Sequence, residues 1–177
     1  MSNTMIDIET LGQDKDAMIL SIGAVIFDSN GLGDEFYRNI SIPSNKGRTI
    51  TLETIEWWFK QDDKAIKALV AEGSVSLEQA LTDLNEFIRA HKAGKVWAHG
   101  VSFDLGILRD AFISITGHRP AWVHRNEFCM RSIRVIGKQI GFDYKAFKKK
   151  NMGTAHNALD DAVCQAKYVS EILRRVK

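Results

Sequence analysis

The apolar positions of this chain change period along its length, and each change marks an element. Met5, Ile6 and Ile8 interleave with Asp7 and Glu9. A strand there puts both carboxylates on one face, because successive side chains point to opposite sides. Residues 17–28 (AMILSIGAVIFD) are rich in branched and aromatic side chains and predict a second, mostly buried strand. Asn30-Gly31 is a hairpin signal, and residues 35–42 alternate as a third strand. The three strands predict an antiparallel meander.

From residue 49 the period lengthens. Thr51 or Thr54 caps a helix carrying Ile55, Trp58 and Phe59, and residues 60–73 continue in helical style with Ala65, Ile66, Leu69 and Val70. Ser76-Leu77-Glu78-Gln79 is a capping box. The helix behind it carries a stripe of Leu77, Ala80, Leu81, Leu84, Phe87 and Ile88, and Gly94 ends it. Residues 95–99 predict a short buried strand and residues 100–103 a loop. A helix over 105–115 turns Leu105, Leu108, Ala111 and Phe112 inward. An edge strand lies within 122–128, and a helix over 130–140 uses Ile133, Ile136 and Ile140. Residues 142–156 read as a long polar, lysine-rich segment. The last helix, 157–175, aligns Leu159, Ala162, Val163, Ala166, Val169 and Leu173. This order predicts a single α/β domain over residues 1–177, with a mixed sheet of antiparallel meander plus parallel strands flanked by helices.

Composition narrows the class. The chain has 177 residues, 45% hydrophobic and 26% charged, which suffices for a sizeable core. Gly 13 and Pro 2 are too few for a low-complexity chain. Cys129 and Cys164 make neither a disulfide framework nor a zinc ligand set, which points to a reducing compartment. The N-terminus lacks the basic and apolar regions of a targeting signal, and no apolar run approaches membrane-spanning length, so the expectation is a cytoplasmic protein with no membrane partner. The net charge of +2 hides an asymmetry. Residues 1–130 hold 13 Lys and Arg against 18 Asp and Glu, a balance of −5; residues 131–177 hold 11 against 4, a balance of +7. That asymmetry points either to an anionic partner at the C-terminal part or to a solvated basic helix face.

Three acidic sites stand out: Asp7 with Glu9 in the first strand, Asp104 after WAHGVSF, and Asp160 with Asp161 early in the last helix, behind His156. Singly, Asp104, Asp160 and Asp161 read as residues favoured at a helix start. Asp7 and Glu9 are different, because two carboxylates on a buried face are costly unless paired. Together the sites offer oxygen donors from a strand, a strand-to-helix junction and a helix start, which is what hard divalent cations take.

Here the sequence resembles a known family. Ile6-Asp7-Ile8-Glu9-Thr10 is similar to the D-x-E-T motif of the DEDD exonucleases. Val101-Ser102-Phe103-Asp104 resembles their second motif, and His156-Asn157-Ala158-Leu159-Asp160-Asp161 the third in its DEDDh form, H-x-A-x-x-D. The runs MIDIETLG, ILSIGAVIFD and TIEWWFKQ resemble a small branch with phage exodeoxyribonucleases and a mycobacterial-type 3′-5′ exoribonuclease. The resemblance implies a ribonuclease H-like fold and a metal-dependent 3′-5′ exonuclease that acts on single-stranded DNA or RNA 3′ ends and releases nucleoside 5′-monophosphates. It also implies two Mg²⁺ or Mn²⁺ ions and a homodimer.

Residue by residue, the resemblance makes Asp7 the ligand of both metals, with Glu9 and Asp161 completing one site and Asp104 supporting the other. His156 becomes the general base. Periodicity alone does not choose between Asp160 and Asp161; the motif chooses Asp161. Thr10, Leu11, Gly12 and Phe103 are candidates for contact with the 3′-terminal nucleotide, beside a plainer reading as turn and core. Trp57 and Trp58 are adjacent and cannot both face the core; Trp58 is the candidate for base stacking, beside a core or interface reading. Lys148, Lys149 and Lys150, with Lys145 before them, are candidates to guide the phosphate backbone. His99 reads as structural. The alternative function on the same fold is a catalytically inactive nucleic-acid-binding or adaptor protein.

Overall fold

β1 (Asn3–Thr10) is the strand around which the rest is arranged. In the computed structural model, which describes residues 2–69 and 73–176, β1 pairs antiparallel with β2 (Ile19–Asp28) and parallel with β4 (Lys95–Ala98). β3 (Gly31–Asn39) extends the sheet beyond β2, and β5 (Glu127–Cys129) extends it beyond β4, in the order β3-β2-β1-β4-β5. The predicted meander and parallel addition are both present. The hairpin turns through Ser29 and Asn30, one residue earlier than the Asn30-Gly31 signal, because Asp28 pairs with Gly31 and its carboxylate accepts the Asn30 N–H at 2.7 Å.

Alternation along β1 sorts its side chains between two cores. Ile6 and Ile8 face α3 (Leu77–Ala90) and α4 (Asp104–Ala111). Met5 faces the other side, under α5 (Met130–Gln139) and α7 (Ala158–Arg175). Asp7 and Glu9 share the face of Met5, so they look toward α7. Across the strand pair, Gly23 is the register partner of Asp7. A Cβ at Gly23 would collide with the backbone of Ala158 and Leu159. The missing side chain is what lets the first turn of α7 settle onto β2 beside Asp7.

Several elements depart from the sequence pattern. The 142–156 segment contains α6 (Tyr144–Asn151), capped by the Asp143 carboxylate. Its lysines mask a helix whose aromatic side, Tyr144 and Phe147, packs on Tyr168 together with Phe142. α3 is capped by Ser76 as predicted, but it ends at Ala90, and Lys92 rather than Gly94 takes the left-handed turn with φ 47. The β5 strand begins only at Glu127, after a short turn His124–Asn126. α4 gives way at Ala111 to a wider turn Phe112–Thr116.

α5 buries Met130, Ile133 and Gly137, where the Tyr168 hydroxyl fills the space a side chain would take, and it leaves Ile136 and Ile140 exposed. α7 buries Gln165, Tyr168 and Ile172 while Leu173 is exposed. α1 (Leu52–Trp58) buries Thr54 and Trp58, and Phe59 is 79% exposed. α2 (Asp63–Leu69) carries part of the helical run expected over 60–73; Val70 and the side chains of Ala65 and Leu69 lie outside the described residues. Among the described residues no helix is long and apolar enough to cross a membrane.

Candidate active site

The site is assembled from four elements. β1 supplies Asp7 and Glu9, which are 9% and 8% exposed. The parallel β1–β4 pairing brings the loop after β4 alongside the end of β1, and Asp104 opens α4 from that loop. One Asp104 oxygen accepts the Gly100 N–H at 3.1 Å. α7 supplies Asp161 in its first turn and Gln165 one turn later on the same side. Gln165 donates to Asp7 at 2.8 Å.

The structure separates the two aspartates that periodicity could not. Asp161 accepts the His156 backbone N–H at 2.9 Å and borders the cleft. Asp160 turns away, accepting the Thr154 N–H at 2.7 Å with its carboxylate against Gly153. His156 sits just before the Asn157 cap with φ 61, a left-handed conformation that a non-glycine residue adopts only when its surroundings hold it there.

Asp7, Glu9, Asp104, Asp161 and His156 all line one cleft of about 540 Å³. Glu9, His156 and Asp161 offer ligand atoms within 4.8 Å of one another. Thr10, Gly12, Phe103 and Lys148 also border the cleft. Leu11 instead packs against Leu20 and Trp58, and Lys149 and Lys150 are exposed outside the cleft. Both tryptophans border the cleft, the candidate Trp58 and its neighbour Trp57 alike, but they differ in exposure. Trp58 is 6% exposed, and its indole N–H donates to the Thr10 carbonyl at 2.9 Å. Trp57 is 41% exposed, and its ring lies 4.7 Å from the His156 ring, edge to face. Sequence reasoning missed Gln165 and Arg131, and it set His99 aside; all three line the cleft.

The electrostatics of the cleft are one-sided. Burial, then the charges of Asp104, Glu9 and Asp161, push the Asp7 carboxyl well above the usual range. Burial, then Asp161 and Asp104, push Glu9 to about 8. Burial pushes Asp104 to about 6 against the pull of the Gly100 N–H, and burial raises Asp161 against the pull of Lys148. Lys148 is 3.9 Å from Asp161. Four crowded carboxylates against Lys148 and Arg131 make a place that favours added cationic charge, and their oxygens suit a hard divalent ion. Burial lowers His156 although Asp161 opposes it, so its ring is neutral near pH 7.

Over residues 2–173 the chain matches the family described as the 3′-5′ exoribonuclease Rv2179c-like domain. It is 33% identical over 125 residues to the exodeoxyribonuclease of Enterobacteria phage T4, covering 62% of this chain and 55% of that protein. The chain thus spans about half the length of that relative. Its fold is similar to the nuclease domain of 3′hExo, a DEDDh family member bound to rAMP, with a TM-score of 0.62 at 14% identity, over 98% of this chain and 92% of that one. It is also similar to S. pombe Pop2p in its Mg²⁺ and Mn²⁺ bound form, with a TM-score of 0.61 at 15% identity, over 97% and 82% of the two chains. At these identities the two structures speak for the fold.

Proposed function

Since the chain belongs to the Rv2179c-like 3′-5′ exoribonuclease domain family, we propose that it is a 3′-5′ exonuclease releasing nucleoside 5′-monophosphates from single-stranded DNA or RNA 3′ ends. The observation that carries this reading is the convergence of Asp7, Glu9, Asp104, Asp161 and His156 on a single cleft.

Two divalent cations, Mg²⁺ or Mn²⁺, are the cofactors we assign, with Asp7, Glu9, Asp104 and Asp161 as the residues that would hold them. Support comes from the raised carboxylates, which lack enough positive charge of their own. When bound, such ions lower the pKa of water and stabilise charge on the phosphoryl group and the leaving oxygen. The metal-bound form of S. pombe Pop2p is consistent with this assignment.

The remaining steps fall to the chain's own groups. Gln165 holds Asp7 in place by donating to one of its oxygens. His156 accepts the proton of the attacking water on its ring, which burial keeps neutral. His156 also lies in the compact group with Glu9 and Asp161. We assign it the proton-accepting role because hard cations prefer oxygen to imidazole. Trp57 and Phe103, both on the cleft, pack against the terminal base, and Lys148 approaches the phosphate.

The presence of all five residues favours catalysis over an inactive adaptor on the same fold. The test compares the protein with its Asp7→Ala variant on linear and circular single strands in Mg²⁺ or Mn²⁺. Expected are degradation of the linear strand alone and loss of activity in the folded variant. Retained activity in Asp7→Ala, or cutting of circles, overturns the reading.

A further inference from the structure

Beside the cleft, and sharing Arg131 with it, lies a second groove of about 550 Å³ between α5 and α6. Its lining includes Arg131, Arg134, Lys138 and Lys145, with Asp143 the one carboxylate. Asp143 is already engaged, accepting the Lys145 and Ala146 N–H groups at the start of α6. Among the described residues none of the four cations forms an ion pair. Four cations against one carboxylate leave the groove with a net positive lining, and unlike the cleft it has no buried acidic group for a metal.

Arg134 is fixed rather than free. Its guanidinium lies 4.1 Å over the Tyr144 ring, and Nη1 is 3.3 Å from His99 Nε2. His99 lines the cleft, so Arg134 joins the two spaces. Arg131 does the same from the other direction, its guanidinium lying against Gly100 about 3.0 Å from where a Cβ would stand. The lining of the cleft also includes Gln13 and Glu53, which offer a polyanion no positive charge. A polyanion leaving the cleft meets attraction on the α5–α6 side and none at Glu53.

We propose that the α5–α6 groove is the track for the phosphate backbone of the nucleotides 5′ to the one being removed. This rests on the exonuclease reading of the adjoining cleft. Stacked arginine and surface lysine bind phosphates without reading bases, so the track is indifferent to sequence. Lys149 and Lys150 line neither space.

The test uses an Arg134→Ala, Lys138→Ala, Lys145→Ala variant, all three positions being exposed. Two readouts are taken. One is hydrolysis of a single-nucleotide substrate, thymidine 5′-monophosphate p-nitrophenyl ester, against hydrolysis of DNA and RNA strands about ten nucleotides long, a length within single-strand site sizes. The other is anisotropy of the same labelled strands in Ca²⁺ over a salt series. The expected result is a fall in kcat/KM at least tenfold greater on the strands than on the ester, as for loss of several phosphate contacts. The salt slope of strand binding should flatten by about 2, at roughly 0.7 per phosphate contact. Equal effects on ester and strand, or an unchanged slope, overturns the proposal. If the unmodified protein hydrolyses neither substrate, the catalytic reading fails instead, and loss of strand binding in the variant still supports the groove.

Discussion

Gly23 stands opposite Asp7 in the register of β1 and β2, and the space of its absent side chain is filled by the backbone of Ala158 and Leu159. Cross-strand partners share a face, so the start of α7 is seated beside Asp7, and Asp161 and Gln165 follow from it. The carboxylate set is thus completed by a close approach that no other residue permits. Gly23→Ala should push α7 outward at a cost of roughly 1–3 kcal/mol, as overpacking typically does. Thermal melts should show lower stability, and activity should fall even where the variant is folded. A variant with unchanged stability and activity would contradict this.

Gln165 holds Asp7 from behind. Replacing it by Leu keeps an apolar filler but removes the donor to Asp7. Groups that orient metal ligands are typically worth about 10–100-fold in affinity. The Mg²⁺ concentration giving half-maximal activity should rise by about that factor, measured by titrating ion into chelated protein. An unchanged titration would show that Gln165 only fills space.

The two adjacent tryptophans should behave oppositely. Trp58→Ala removes a buried ring with a hydrogen bond to Thr10 and should cost about 3–5 kcal/mol in stability. Trp57→Ala should leave melting nearly unchanged and raise KM for strands, since stacking on one base is worth roughly 1–3 kcal/mol. Melting curves and steady-state kinetics on both variants check the division.

Without divalent ions the protein should lose stability as pH rises. Asp7, Glu9 and Asp104 all have raised folded-state pKa values, so the folded chain keeps protons that the unfolded chain has released. A raised acid contributes stability fully below its unfolded pKa and loses it as pH climbs through the folded value. For Glu9 that window runs from 4.5 to about 8. Melts in EDTA across the window should show a falling Tm, and excess Mg²⁺ should flatten the fall. A Tm that rises with pH in EDTA would contradict the charge crowding.

Much of this was legible in the chain itself. The alternation of Ile6, Asp7, Ile8 and Glu9 is a local pattern, and the sheet simply enforces it. Gln165 carried a usable signal, standing four residues after Asp161 and so on the same side of α7. The choice between Asp160 and Asp161 was out of reach of periodicity, because it depends on how the turn 153–156 folds back on each carboxylate. α6 was hidden because its apolar side is aromatic and short, with Tyr144 and Phe147 packing on Tyr168. Nothing in the sequence distinguished Arg131 and Arg134 from the other basic residues near them; their meaning lies in Gly100, His99 and Tyr144. The −5 and +7 balance of the two parts now has a physical arrangement. Acidic side chains from both parts crowd one cleft, and cations of the basic part line the groove beside it.

The most direct measurement is a time course on a 5′-labelled single strand with chelated protein to which Mg²⁺ or Mn²⁺ is returned. The prediction is no cleavage in EDTA. On addition of the ion, a ladder should shorten one nucleotide at a time from the 3′ end, with nucleoside 5′-monophosphate as the product. Cleavage that persists in EDTA, internal fragments, or an intact strand at every concentration of both ions would contradict the assignment of this cleft.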